Sequence, residues 1–324
     1  FRISFFGGGT DYPGWFQQHG GVVFATTIDK YCYISCRYLP PFFEHKHRIV
    51  YSKIENVHTA AEIVHPAVRA VLTEIPTERG LEIHHDGDLP ARSGLGSSSS
   101  FTVGLIHALT ALKGSYVTKE HLAAEAIRIE QDVLKEHVGS QDQVSAACGG
   151  FNIIEFTRDD RFIVNPMVLP RHRLEELQGH LMLFFTGLSR LASDVAKSKI
   201  DNFGRMETEL TRMRGMVDEA IAILQNPATP ISEFGRLLAQ SWEYKRTLSD
   251  KVSTPVVDEI YAAGRKAGAI GGKLLGAGGG GFLLLFAEPG DQPAIREALK
   301  HLVHVPFQFE NAGSRVVLYQ PDGL

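Results

Sequence analysis

The sequence predicts an α+β fold in two lobes. Strand-like and helix-like runs occur in mixed order, without the regular β–α–β alternation of a parallel sheet. The length of 324 residues suggests two domains or one large one, with a sizeable core in either case. The stretch from Asn165 to Gln178, which holds Pro166 and Pro170, interrupts the periodic patterns and places a boundary there. An N-terminal domain over 1–170 and a C-terminal domain over 171–324 are expected.

Taken in order, Arg2 to Phe6 reads as a short strand, and Gly7 to Gly14 as a turn-rich loop. Val22 to Thr27 and Tyr31 to Tyr38 are rich in β-formers, Val64 to Leu72 has helical spacing, and Leu81 to His85 reads as a strand. A glycine–serine loop follows, Leu89 to Ser100, and runs into the mostly apolar helix Phe101 to Leu112. Lys119 to Glu136 reads as one helix, with Leu122, Ala126, Ile129 and Val133 at helical spacing. Phe151 to Phe156 and Arg161 to Val164 suit a hairpin around Arg158-Asp159-Asp160. The second half opens with a strand, Leu181 to Thr186. Helical patterns then span Leu191 to Leu224, Ile231 to Leu248 and Pro255 to Ala267. A second glycine run, Gly276 to Gly281, precedes the apolar strand Phe282 to Ala287. A helix over Pro293 to Leu302 and strands at Val305 to Phe309 and Arg315 to Tyr319 close the chain.

Composition narrows the function. The chain is 44% hydrophobic and 22% charged, an ordinary soluble balance. Its net charge is −4 and it holds no basic block, which argues against a nucleic-acid partner. No apolar run reaches the ~18 residues of a membrane span, and no signal peptide is expected in a sequence that begins inside what reads as a first strand, with residues before Phe1 left open. Cys32, Cys36 and Cys148 form no even framework, so buried, reduced thiols and a cytoplasmic location are expected. Among 14 histidines there is no HExxH spacing, and His84-His85, His45 and His47 read as loop or strand residues. A homo-oligomer is compatible with all of this.

The chemistry concentrates in Pro90-Ala91-Arg92-Ser93-Gly94-Leu95-Gly96-Ser97-Ser98-Ser99-Ser100. Glycines admit a ligand close to the backbone. A helix beginning at the serines would aim unpaired N–H groups and a positive dipole end at that ligand. This makes an anion site, best suited to phosphates. It is not a Walker A loop, because no Gly-Lys-Ser/Thr ends it. Gly276 to Gly281 matches GxGxxG, but a strand follows where a dinucleotide site needs a helix. Protein-kinase marks (HRD, DFG) are missing. Either glycine run alone could be a plain tight turn.

The serines could merely cap a helix, yet four in a row exceed what one cap needs, and some could bind phosphate oxygens or Mg²⁺. Glu130 falls in the helical row of Ala123, Ile127 and Leu134. It is either a metal ligand or a solvated residue at the stripe edge. Asp142 is either a helix cap or a base facing a substrate hydroxyl. Asp11 could simply close the glycine turn. Arg2 opens the strand that leads into that turn and is otherwise a solvated strand end.

Taken together and in order, three segments resemble the GHMP small-molecule kinases, which include galactokinase, homoserine kinase and the mevalonate kinases. They are Arg2 to Tyr12, Pro90 to Ser100 and Lys273 to Gly281. Gly7-Gly8-Gly9-Thr10-Asp11-Tyr12-Pro13 and Thr27-Ile28-Asp29-Lys30-Tyr31 are closest to bacterial D-glycero-D-manno-heptose 7-phosphate kinases. Galactokinases carry Gly-Glu-His where this chain has Gly7-Gly8-Gly9, so galactose is disfavoured. The resemblance implies an N-terminal domain like ribosomal protein S5 domain 2 and a ferredoxin-like C-terminal domain, with ATP and sugar meeting between them. It places ATP against Pro90, Arg92, Ser93, Gly94, Leu95, Gly96, Ser97, Ser98 and Ser99, and Mg²⁺ on Ser98 and Glu130. Substrate falls to Gly8, Gly9, Thr10, Asp11, Tyr12, Asp142, Gly278 and Gly279, and Arg2 and Asp142 act at the reaction centre.

The expected activity is transfer of the ATP γ-phosphoryl to the anomeric hydroxyl of a heptose 7-phosphate, in nucleotide-activated heptose biosynthesis. A sugar that already carries phosphate needs a distal cation. Arg190, after Gly187-Leu188-Ser189, is the candidate, with Lys245-Arg246 and Lys273 as rivals and a solvated surface charge as the plain alternative for each. Two other readings remain: a family kinase for an unphosphorylated sugar such as fucose or galactose, and a nucleotide-binding homologue without catalysis.

Overall fold

The computed structural model describes residues 1–91, 93–187 and 206–321. The first half contains β1 (Arg2–Phe6), α1 (Pro13–His19), β2 (Gly21–Ile28), β3 (Cys32–Tyr38), β4 (His47–Val50), β5 (Ile54–Val57), α2 (Pro66–Glu74), β6 (Leu81–Gly87), α3 (Ser97–Leu112), α4 (Lys119–Arg128), α5 (Gln141–Cys148), β7 (Phe151–Phe156) and β8 (Phe162–Pro166). The second half adds α6 (Arg171–Gly179), β9 (Leu181–Phe185), α7 (Glu207–Gln225), α8 (Ser232–Thr247), α9 (Pro255–Lys266), β10 (Gly271–Leu274), β11 (Phe282–Phe286), α10 (Gln292–Ala298), β12 (Val303–His304) and β13 (Phe309–Glu310).

Three sheets organise these elements. The first runs β1-β2-β7-β8, with β13 also paired to β2. The second runs β3-β6-β4-β5 and includes one parallel pair, β4 with β6. The third, β10-β11-β9-β12, is antiparallel throughout. Numbered within that lobe, its strands lie in the order second, third, first, fourth, which is ferredoxin-like. Helices and sheets are thus mixed without a β–α–β repeat, and the fold is α+β. Because β13 returns to β2, the chain crosses back over the expected boundary at 170 before it ends.

Period-two alternation explains why the sheets stack. Along β2, Val23 and Ala25 face one core, built with α2, α3, α4 and α5. Val22 and Phe24 face a second core, shared with β9, β11, α7 and α8. Along β11, Phe282, Leu284 and Phe286 join that second core, whereas Leu283 and Leu285 join a third, beneath α9 and α10. Both faces of β2 and β11 are therefore covered, which accounts for their unbroken apolar runs.

Several expectations need correction. The helix foreseen over Lys119 to Glu136 is α-helical only to Arg128, and Ile129–Val133 forms a π turn. Leu134 N–H reaches Ile129 O at 2.8 Å, and Lys135 takes a left-handed φ of 56° that ends the helix. Arg315 to Tyr319 is not a strand. Val317 and Leu318 are 81% and 74% exposed, and β-propensity without a partner strand gives only an extended segment. The foreseen strand at Val305 to Phe309 is replaced by two short bridges, β12 and β13. Helices α1, α5 and α6 and strands β4 and β5 were not anticipated. Of the helical pattern from Leu191 to Leu224, the part up to 205 lies outside the described residues. The three cysteines are unpaired but half-buried, not fully buried. Burial pushes the thiols of Cys32 and Cys36 up to about 12.

Candidate active site

The phosphate-loop candidate sits where β6 hands over to α3. Pro90 is exposed, Ser93 and Leu95 are buried, and Gly96 is the N-cap of α3 with a φ of 78°. Ser100 N–H closes the first turn of α3 onto Gly96 O at 2.8 Å. Gly94 has a φ of 85°, and a Cβ there would lie 2.7 Å from Leu275 O. A Cβ on Gly276 would in turn overlap Gly94 Cα. The two glycine runs thus meet backbone to backbone, which only glycine at both positions allows. Arg92 lies outside the described residues.

Arg2 ties this loop to the candidate base. Its N–H bonds Leu95 O at 3.1 Å, and its Nη1 donates to Gly94 O at 2.7 Å. Its Nε and Nη2 donate to the two oxygens of Asp142 at 2.7 and 2.9 Å. Arg2 is 4% exposed, so it is no solvated strand end. The Asp142 side chain remains 26% exposed, which leaves lone pairs open to solvent. A bidentate pair of this kind fixes the carboxylate plane.

Glu130 is fully buried on the π turn, not solvated at a stripe edge. Its Oε2 accepts hydrogen bonds from Ser99 Oγ at 2.8 Å and Gln143 Nε2 at 2.5 Å. Its Oε1 accepts no hydrogen bond of good geometry among the described residues; the Thr102 hydroxyl beside it donates to Ser98 O. Burial pushes the carboxyl up to about 7, against the hydroxyls of Thr102 and Ser99 and the Gln143 amide, which act the other way. A buried carboxylate with one orphaned oxygen suits a cation. Of the serines, Ser99 meets Glu130, while Ser98 is exposed at the start of α3.

The first glycine loop closes on itself. Thr10 is fully buried, its hydroxyl donating to Gly7 O at 2.8 Å and accepting from Val22 N–H at 3.1 Å. It therefore stitches the loop and presents no hydroxyl to the surface. Asp11 is 1% exposed; it accepts from Gly9 N–H and from Gln141 Nε2, both at 2.9 Å, and burial raises its pKa. Burial likewise raises that of Tyr12. Gly9 is buried, so Gly8 is the part of this loop most open to a ligand. In the last motif, Gly279 N–H donates to Val252 O at 2.9 Å and Gly278 is half-buried.

The rival cations for a distal phosphate are committed elsewhere. Lys245 Nζ donates to Leu274 O and Gly276 O at 2.6 and 2.7 Å, and Lys273 Nζ donates to Phe5 O at 2.7 Å. Both are buried and act as ties beneath the glycine run, not as surface charges. Arg246 pairs with Glu243 and Asp258. Arg190 lies outside the described residues. Sequence reasoning missed Gln141 and Gln143. The available signal was their position on either side of Asp142. Among the described residues there is no cluster of three or more His, Cys, Asp or Glu with metal-binding geometry, and no helix is long and apolar enough to cross a membrane.

This arrangement matches known proteins along most of the chain. The model of the GHMP kinases N terminal domain matches residues 61–150, and that of the GHMP kinases C terminal region matches 220–304. The D-glycero-alpha-D-manno-heptose 7-phosphate kinase of Campylobacter jejuni is 30% identical, over 92% of this chain and 91% of that protein. The mevalonate kinase of Pyrococcus abyssi is 30% identical, over 74% of this chain and 70% of that protein. The crystal structure of a D-glycero-D-manno-heptose 1-phosphate kinase from Bacteroides thetaiotaomicron superposes with a TM-score of 0.76 at 24% identity, covering 96% of this chain and 95% of that one. The three glycine-bearing segments thus touch one another through Arg2, Gly94, Gly276 and Lys273, both domain models match in order, and the Campylobacter relative aligns nearly end to end: the chain belongs to the GHMP kinase family.

Proposed function

We propose that this chain transfers the γ-phosphoryl of ATP to the anomeric hydroxyl of D-glycero-D-manno-heptose 7-phosphate, giving the 1,7-bisphosphate and ADP. The observation that carries this reading is the Arg2–Asp142 pair. One guanidinium touches both the phosphate loop, through Gly94 O, and both oxygens of the candidate base. The choice of sugar rests on the similarity to the Campylobacter heptose phosphate kinase.

In this mechanism the loop from Pro90 to Ser99 and the amides at the start of α3 hold the triphosphate. Phosphoryl transfer depends on position and charge neutralisation more than on covalent help. Arg2 offsets charge that builds on the equatorial oxygens. Asp142 orients the anomeric hydroxyl and takes its proton as the new O–P bond forms and the bond to ADP breaks. An anomeric hydroxyl is more acidic than an ordinary alcohol, so a modest base suffices. Gly8, with the loop that Asp11 braces, borders the sugar, and Gly278 and Gly279 close the other side. Arg190 takes the distal phosphate.

Glu130 and the serine hydroxyls of α3, Ser98 foremost, would hold Mg²⁺, and the orphaned Oε1 fits that cation. When bound, the ion neutralises phosphate charge. ADP release measured over heptose 7-phosphate, free heptose, fucose, galactose and mevalonate tests the whole reading. Heptose 7-phosphate is expected to give the highest kcat/KM, and turnover should vanish when EDTA removes the cation. A higher kcat/KM with an unphosphorylated sugar would overturn the assignment, and no ADP with any sugar despite tight ATP binding would point to a non-catalytic homologue.

A further inference from the structure

The first turn of α5 contacts three separate parts of the site through three consecutive residues. Gln141 Nε2 donates to Asp11, which braces the first glycine loop. Asp142 holds Arg2, and through it the phosphate loop. Gln143 Nε2 donates to Glu130, the buried carboxylate of the π turn. Neighbours on a helix are turned by about 100° from one another, so three adjacent side chains fan out in three directions. A helix end wedged between three loops can therefore brace all of them. Gln131 of the π turn also reaches back to this helix end, donating to Ser140 Oγ at 3.1 Å.

The two amides look costly if they are only packing. Gln143 is fully buried and Gln141 is 9% exposed, and the Oε1 of each has no hydrogen-bond partner among the described residues. An unsatisfied buried acceptor costs roughly 1–3 kcal/mol. Each amide also has one workable orientation, because a flip would set its carbonyl oxygen against a carboxylate oxygen. What each gains is a single N–H fixed on one carboxylate.

We propose that Gln143 and Gln141 are positioning residues for phosphoryl transfer. Gln143 fixes Glu130 for the cation, and Gln141 fixes Asp11, and with it the Gly7–Tyr12 loop, for the sugar. This rests on the reading that Glu130 faces the cation and the glycine loop faces the sugar. Outer partners of this kind change metal affinity by about 10- to 100-fold when removed.

The test uses Gln143→Leu, Gln143→Asn, Gln141→Leu and Gln141→Asn. Mn²⁺ affinity is measured by electron paramagnetic resonance with ADP present. Sugar affinity is measured by calorimetric titration with heptose 7-phosphate in the absence of nucleotide. Both Gln143 variants should weaken Mn²⁺ binding by about 10-fold and leave the sugar titration unchanged. Both Gln141 variants should weaken sugar binding by a similar factor and leave Mn²⁺ unchanged. Where a Leu variant does not fold, the Asn variant, too short to reach its carboxylate, decides. Unchanged constants, or equal losses of both ligands in all variants, overturn the proposal, since mere packing predicts no split. If the wild type does not bind heptose 7-phosphate, the substrate assignment fails instead. The Mn²⁺ arm still reads Gln143, and the sugar arm is repeated with whichever sugar releases ADP.

Discussion

Asp142 and Glu130 are two carboxylates of the candidate site with opposite surroundings. Asp142 is partly open and paired to a guanidinium; Glu130 is enclosed, and no cation stands among its hydrogen-bond partners. The first suits proton transfer, and Asp142→Asn should lower kcat by about 10²- to 10⁴-fold with ATP affinity unchanged by calorimetry. Near-normal turnover would remove the base assignment. The second should show in the stability of the metal-free protein. The folded-state pKa of Glu130, about 7, lies above its ordinary value of 4.5. The stability linked to its proton is therefore full below about 4.5 and is lost as pH rises to about 7, on the order of 3 kcal/mol. Thermal midpoints at pH 5 and pH 8 should differ by less in Glu130→Gln than in the wild type; equal differences would contradict this.

At the level of elements, the sequence was most legible where a strong period met a strong terminator. Strand Arg2–Phe6 ends at glycine, a bound readable from residue pattern, whereas the apolar run marks helix Ser97–Leu112 only from Phe101, because its first turn is made of four serines. The π turn was not readable, because Ala123, Ile127, Glu130 and Leu134 satisfy an unbroken α-helical row, and only the wider bond from Leu134 to Ile129 shows the extra residue. Helix α5 was hidden because its first turn is polar, its residues being chosen for what they touch rather than for burial against a core. The turn before it is equally constrained. A Cβ on Gly139 would overlap Asp11 Oδ2, so Gly139→Ala must push the first glycine loop away or strain α5, at a cost of about 1–3 kcal/mol. A raised KM for the sugar, an unchanged KM for ATP and a lower thermal midpoint are expected. A variant matching the wild type in all three would show that the contact yields freely.

At the level of the whole molecule, the two-lobe α+β architecture was legible in the mixed order of strand and helix patterns, whereas the meeting of the three motifs followed from the family resemblance alone. The roles of Lys245 and Lys273 were not legible, since nothing in a sequence distinguishes an amine that ties two carbonyls from one that waits for a phosphate. Nor was the return of the chain end to β2, a pairing of two residues whose signal is too short to read.

The contact between Gly94 and Gly276 bears on the order in which the protein becomes competent. A ribosome that has made the first lobe has made the whole phosphate-loop sequence but not the backbone it rests against. Leu275 and Gly276 come from much later in the sequence, as does Lys273, which anchors on Phe5. Closing loops of that length is slow relative to local helix formation. Nucleotide affinity should therefore arrive late in synthesis, after the second glycine run has docked. A fragment of residues 1–170 should bind ATP at least about 10-fold more weakly than the full chain, in line with losing part of a preorganised site. Addition of the 171–324 fragment in trans should restore affinity where the two assemble, and full affinity in the first fragment alone would show that the loop holds its shape unaided. On the proposed reading, a half-made molecule should leave nucleotide in solution.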